Sequence, residues 1–459
     1  MSKPVFNRLA LACVTFAASL TAQATDLKTV FGQALENDPQ LAAELASADA
    51  NAQTGNIARG AILPQISFSA EQSTTTLDGG AIDSSVFNGT TNTIETVRVN
   101  DPLDNKSYDK TSYSISASQA LLNANSWYTY ASASATTDQA GLERIKAEQD
   151  VVVRLAEAYF DVLRSTATLA AAKAQEAAVK RQLEQTQQRF KVGLIAITEV
   201  HEAQAIYDGA TVELIAAESE LDIAYEALAL LTGERYHHIN PLKDEIPLTG
   251  PVPADRAHWE QLALTNNIDV LIANKGQSAA RLNHKAKLAD HAPTIDLVGQ
   301  YSITEDEGNS VSLGEELTTT YVGLQLEVPL FAGGSQYATH KQAYYQRQAA
   351  EKQLEAAQRS ASLQVRSYYR QLQADVARIK ARKQAITSAR SAMEATQTGY
   401  EVGTRNIVEV LNAQLDVFSA EEDYAHARYD YVIDLLKFRQ AVGELTIKDI
   451  EEVNAWLQS

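Results

Sequence analysis

The side chains with the most evident chemistry sit at two matched helix starts. In residues 399–414 (GYEVGTRNIVEVLNAQ) a carboxylate, Glu409, and an amide, Asn412, stand three apart, which puts both on one helical face. Residues 189–204 (RFKVGLIAITEVHEAQ) are a second copy. Phe190 matches Tyr400, Val192 matches Val402, Gly193 matches Gly403, Ile197 matches Ile407, Glu199 matches Glu409 and Gln204 matches Gln414. The chain is a duplication, and each copy reads as a glycine break between two helices. Other constellations are weak. Tyr236-His237-His238 offers two imidazoles, but adjacent residues on a helix do not share a face, and no carboxylate or thiol lies at ligand spacing. Glu305, Asp306 and Glu307 form an acidic loop, which reads as solvated rather than as a calcium site. Residues 399–403 lack the Gly-Lys-Ser/Thr ending of a phosphate loop. No Ser/His/Asp set or metal set is visible. The expectation is a non-enzyme with no catalytic residue, no metal and no cofactor.

The elements that carry the two tips follow from periodicity. From about residue 125 to 191 no proline and only one glycine, Gly141, interrupts the helical pattern, which predicts roughly 100 Å of helix. After Gly193 the residues Val200, Ala203, Tyr207, Ala210, Leu214, Ala217, Leu221, Ala224, Leu228 and Leu231 alternate in steps of three and four, a heptad seam. Gly233 stops that helix. The second copy repeats the seam from Val410 to Ala441, broken only by Asp434, after a helix running from about 335 to 398.

Shorter alternating segments predict four strands, 65–72, 111–122, 294–303 and 319–330. Val322, Leu324, Leu326 and Val328, for example, alternate with Tyr321, Gly323, Gln325 and Glu327. Residues 26–61 read as one helix, 73–110 as a long polar loop, and 304–317 as its shorter counterpart. The resulting plan is duplicated: helix, two strands, a very long helix, a glycine turn and a heptad helix. The first repeat spans 25–233 and the second 263–443, with a linker at 234–262 and a tail at 444–459. The linker segment 234–253 holds four prolines. Trp127, Tyr128 and Tyr130 follow the second strand and suit either a membrane interface or a core.

Composition narrows the class. The 459 residues carry a formal net charge of −19, which argues against nucleic acid as a partner. Lys3 and Arg8, the apolar run 9–20 and Ala22-Gln23-Ala24 form a secretory signal peptide over 1–24. The only cysteine, Cys13, lies in that run, so the mature chain would have no disulfide. No stretch has eighteen consecutive apolar residues, yet barrel strands need none. Four strands cannot close a membrane barrel, so several chains must share one, with eight, twelve or sixteen strands for two, three or four chains. A secreted soluble coiled-coil scaffold is the alternative; it explains the heptads but not the four matched strands.

The motifs LPQISFSAEQ, AYFDVL, RFKVGLIAITEV, YEVGTRNIVEVLNAQ and ARYDYVIDLLKFRQAVGEL resemble the TolC family of outer-membrane channel-tunnels over nearly the whole mature chain. The resemblance implies a homotrimer with a twelve-stranded transmembrane β-barrel in the outer membrane of a Gram-negative bacterium. A long α-helical coiled-coil tunnel would stand in the periplasm, belted by the linker and the tail. It implies an exit duct for type I secretion or tripartite efflux. A periplasmic adaptor and an inner-membrane ABC, RND or MFS transporter would be its partners, besides outer-membrane lipid. Carried over residue by residue, the family's constriction falls on Glu409 and Asn412. Its closing latch falls on Tyr400 and Arg405, with Thr198 and Glu199 as partners at the first turn. Adaptor docking falls on Val192, Gly193 and Leu194 and on Val402, Gly403 and Thr404. Asn412 departs from the family by supplying no charge.

Overall fold

The computed structural model describes residues 25–77, 81–100, 106–307 and 316–458; the expected signal peptide, with Cys13, lies outside them. The chain divides into two compact units. One comprises Met1–Ala43, Ala147–Asn267 and Ala361–Ser459; the other comprises Glu44–Lys146 and Ile268–Ser360.

The expected single helix over 26–61 is three: α1 (Leu27–Asn37), α2 (Pro39–Ala52) and α3 (Thr54–Gly60). The first break has a local cause. Proline disfavours helical geometry in the residue before it, and Asp38 is extended at φ −68°, ψ 111°, while Pro39 opens the next helix. The second break has a tertiary cause. Thr137 inserts its hydroxyl into the ladder, donating to the Ala52 carbonyl at 3.0 Å and accepting from the Gly55 N–H at 3.2 Å. Position 55 must be glycine, because a Cβ there would lie 2.7 Å from that hydroxyl oxygen.

In the unit that holds Glu44–Lys146 and Ile268–Ser360, strands β1 (Gln65–Leu77), β2 (Ala81–Asn88), β3 (Thr93–Asn100) and β4 (Lys106–Leu122) come first. β5 (Thr294–Glu307) and β6 (Leu317–Glu327) follow helix α7 (Ile268–Ala289). The antiparallel sheet has the order β1-β4-β5-β6, and β2-β3 form a separate hairpin. The long loop expected over 73–110 is thus corrected: β1 and β4 continue into it, and β2 and β3 stand inside it. A strand wetted on both faces needs no apolar alternation, so its Thr- and Ser-rich sequence looks like a loop. β6 stops short of Pro329, which cannot donate to the ladder.

Register sorts the sheet into two faces. Phe68, Ile115 and Tyr301 are paired neighbours on one face, as are Leu297 and Leu324. Ser67, Ser116 and Gln300 line up on the other. The apolar face is uncovered: Ile66 is 75% exposed and Val322 73%.

Four helices dominate the chain, α4 (Ala124–Lys191), α5 (Ile197–Thr232), α8 (Ser335–Glu401) and α9 (Ile407–Val442). Their lengths repeat, 68 and 36 residues in the first pair against 67 and 36 in the second. Both turns are Schellman closures. Gly193 (φ 76°) and Gly403 (φ 81°) take the left-handed conformation that a side chain would strain. The Leu194 N–H then reaches the Arg189 carbonyl at 2.9 Å, and the Thr404 N–H reaches Gly399 at 2.8 Å.

In the other unit the core gathers α1, the middle of α4 and the far ends of α5 and α9, with α6 (Arg256–Asn266) and α10 (Ile447–Ala455) laid against them. Leu27, Tyr159, Phe160, Leu228, Tyr431, Leu436 and Ile450 are buried there. The Pro-rich linker is tied in by its backbone: Tyr159 donates to the Asn240 carbonyl at 2.8 Å, and the Thr249 N–H donates to the Tyr431 hydroxyl at 3.1 Å. Short bridges pair Thr25 with Ile239 and Leu242 with Leu457. The duplication survives in the capping of α5 and α9. Asn37 donates to the Thr232 carbonyl at 2.9 Å, as Asn267 donates to Ala441 at 2.8 Å.

Candidate functional site

The second tip is built around a crowded turn. A Cβ at Gly399 would lie 2.7 Å from Arg405 Cγ, so the close approach of the end of α8 to the turn requires glycine. The Thr404 hydroxyl donates to the Gly399 carbonyl at 3.0 Å. Asn406 caps α9, its side-chain oxygen accepting from the Glu409 N–H at 2.9 Å while Glu409 reaches back to the Asn406 N–H at 3.4 Å. Arg405, just before the N-cap, forms an ion pair with Glu409 in the first turn of α9. The Arg405 hydrogen bond, first, and the Asn406 backbone hold the Glu409 carboxyl below its ordinary range, against a smaller opposing effect of desolvation. Asn412 lies one further turn along and is exposed.

Behind this polar rim lies an apolar cluster. Val179 and Leu183 of α4, Ala203 of α5, Tyr400 of α8, and Ile407, Val410 and Leu411 of α9 are all buried in one group. Tyr400 is buried to 7% exposure, with the Arg189 guanidinium 4.8 Å from its ring centroid, a cation–π contact. Its hydroxyl has no partner among the described residues. The second tip is therefore packed onto the first hairpin by burial, and Tyr400 is the aromatic centre of that packing.

Thr198 and Glu199 begin α5, whose N-cap, Ala196, offers no side-chain cap. Among the described residues no hydrogen bond or ion pair joins either of them to Tyr400 or Arg405. The structure brings Arg405 to Glu409 and Tyr400 to Arg189. Val192, Leu194 and Val402 project from the turns, each about 70% exposed, with Gly193, Gly403 and Thr404 exposed beside them. Sequence reasoning missed Arg189, Leu183, Leu411 and Asn406. Asn406-x-x-Glu409 was legible as a capping box; Arg189 was not, since nothing local marks a cation that lies over a ring on another helix.

His237 and His238 lie in the linker, where their carbonyls accept from Tyr225 and from the Thr25 N–H. Among the described residues no three His, Cys, Asp or Glu side chains gather as a metal set. Of the acidic triplet only Glu305 has a described side chain, and it is exposed on β5. Trp127 and Tyr128 are partly exposed in the first turn of α4. Among the described residues no helix is long and apolar enough to cross a membrane.

The outer membrane efflux protein family matches residues 30–234 and 259–444, the two halves of the duplication. The outer membrane protein TolC of Vibrio cholerae is 35% identical over 99% of this chain and 98% of its own. The alkaline protease secretion protein AprF of Pseudomonas aeruginosa is 28% identical over 92% of this chain and 85% of its own. Among solved structures, the CmeC outer membrane channel of Campylobacter jejuni shares the fold with a TM-score of 0.75 at 16% identity, over 100% of this chain and 98% of that one. The chain belongs to the outer membrane efflux protein family, among the TolC-like channels of the Gram-negative outer membrane.

Proposed function

We propose that three copies of this chain close a twelve-stranded barrel and form a passive exit duct for type I secretion or tripartite efflux. The observation that supports this most is the sheet. Its apolar face is uncovered, and among the described residues β1 and β6 leave both edges unpaired. Open edges are not tolerated in lipid, and an apolar face of this kind does not persist in water, so closure by further copies within a membrane meets both needs. The same face weighs against a secreted soluble scaffold.

In this reading the helical part lies in the periplasm, with 234–262 and 444–459 as its belt. The exposed turn residues Val192 to Leu194 and Val402 to Thr404 meet a periplasmic adaptor, and an inner-membrane transporter supplies energy and selects cargo. The second tip is the gate. The apolar cluster around Tyr400 holds it against the first hairpin, and Glu409 and Asn412 line the constriction. Because Arg405 neutralises Glu409 and Asn412 is uncharged, the closed gate presents little net charge to a passing ion. In this reading the latch is the packing of Tyr400 together with the Arg405–Glu409 pair at the second tip, and Thr198 and Glu199 of the first turn contribute less, since Arg405 is already paired within the copy. No step in this duct calls for a catalytic group.

The test is the mass of the particle extracted from outer membranes in detergent, joined to conductance in a planar bilayer. A three-chain particle that conducts is expected. A monomer released from membranes by salt alone would overturn the reading.

A further inference from the structure

A second pair of acids lies in the helical unit, away from the tip. Asp434 is the one residue that breaks the heptad seam of α9, and it faces Asp375 of α8. Asp375 is fully buried, at 0% exposure. Its Oδ1 accepts from Gln371 Nε2 at 3.2 Å and lies 3.3 Å from Arg378 Nη1. Its Oδ2 is buried with no donor among the described residues, while the Asp434 carboxyl stands within hydrogen-bond reach of Asp375. Two ionised carboxylates are both acceptors only, so a hydrogen bond between them needs a proton on one. We propose that Asp375 and Asp434 share one proton and that this proton is a pH-sensitive tie between α8 and α9.

The surroundings do not supply an alternative. Arg378 of α8 and Asp430 and Lys437 of α9 act on the pair directly, while Glu157, Asp161 and Arg164 of α4 and Tyr368 of α8 surround Asp430 and Lys437 in turn. Arg164 is committed to Asp161 at 2.9 Å and Asp430 at 2.6 Å, and Lys437 to Glu157 at 2.5 Å. Arg378 reaches only the oxygen that Gln371 already satisfies. Five carboxyls therefore share three cations, and the uncompensated charge falls on the buried pair. Burial first, and the Asp434 charge second, push the Asp375 carboxyl up to about 7; burial raises Asp434 as well.

The sign follows from linkage. A carboxyl whose folded value is raised binds its proton more tightly when folded, so the tie is fully present below the ordinary carboxylate range. It is lost as pH rises through about 7. Above that, two carboxylates in contact repel and α8 loosens from α9. Both residues stand roughly seven helical turns from the second tip, one on each helix that carries it, so loosening here frees the arm of the gate.

The test is backbone hydrogen exchange of the assembled protein in detergent at about pH 5 and about pH 8, corrected for intrinsic exchange, read over 368–380 and 428–440. The expected result is at least a tenfold loss of protection at the higher pH in the unaltered chain. Asp375→Asn supplies a permanent amide donor and is expected to show no pH dependence in these segments. Asp434→Asn does the same from the other helix and serves if the first variant fails to assemble. Equal protection at both pH values in the unaltered chain would overturn the proposal. So would a variant that keeps the full pH dependence.

Discussion

The α4–α5 and α8–α9 hairpins turn through the same hydrogen bonds, Gly193 matching Gly403, yet the residues just past the turn differ. The first return helix starts at Ala196 with no side-chain cap; the second starts at Asn406 with a full capping box and the Arg405–Glu409 pair. Phe190 is 39% exposed where Tyr400 is buried. The shafts differ too. Arg382 pairs with Asp423 and Arg390 with Glu421, each at 2.5 Å, along α8–α9, whereas Lys173 and Glu218 of α4–α5 stand 3.8 Å apart. Duplication kept the backbone, and in the proposed reading it divided the work: the first hairpin is the wall, and the second is a stiffened arm whose tip rests on that wall.

Substitutions can break or sharpen this contrast. Leu411→Ala should have the largest effect. It empties a fully buried site in the tip cluster and should cost about 2–5 kcal/mol of local stability, seen as fast hydrogen exchange at 400–412 and a raised single-channel conductance. If the first hairpin loosened equally, the division of labour would be wrong. Asn406→Ala should come next, costing about 1 kcal/mol through the lost cap, with exchange rising over the first turn of α9 only. Tyr400→Phe should be neutral or stabilising by up to about 1 kcal/mol, because the hydroxyl it removes has no partner among the described residues. A conductance increase on that change would instead place a partner for the hydroxyl on a neighbouring copy. Glu409→Ala should have the smallest effect, a modest shift away from cation selectivity as Arg405 is left unpaired, read as a reversal potential in a salt gradient.

Acid separates the two parts of the second hairpin. The Glu409 carboxyl is held below its ordinary value, so its contribution is present above that value and is lost only as pH falls through the lower, folded one. Exchange at the tip should therefore be flat between about pH 5 and pH 8, while the Asp375–Asp434 region changes across that window.

Much of this architecture was legible in the residues. The seam from Val200 to Leu231 places Ala203, Ala210, Ala217, Leu228 and Leu231 in buried positions, and Gly193, Gly233, Gly403 and Gly443 all take positive φ. Periodicity and glycine report backbone geometry, and backbone geometry is what the duplication preserved. The misses have other causes. Strands β2 and β3 lie in water-like sequence with no buried face to mark them. The break after Ala52 depends on Thr137, which lies 85 residues away in sequence. At the site, the spacing of Glu409 and Asn412 was plain, but the partner of Arg405 was not. Both Glu199 and Glu409 are acids at helix starts, and only the fold shows that the nearer one takes the guanidinium.

The most direct test of the central claim compares Arg405→Ser with Glu199→Ser in planar bilayers, measured as single-channel conductance of the assembled duct. If the second tip is the gate, Arg405→Ser raises conductance several-fold and Glu199→Ser changes it far less. Equal increases from both substitutions, or no increase from Arg405→Ser, would contradict a gate carried by the second tip.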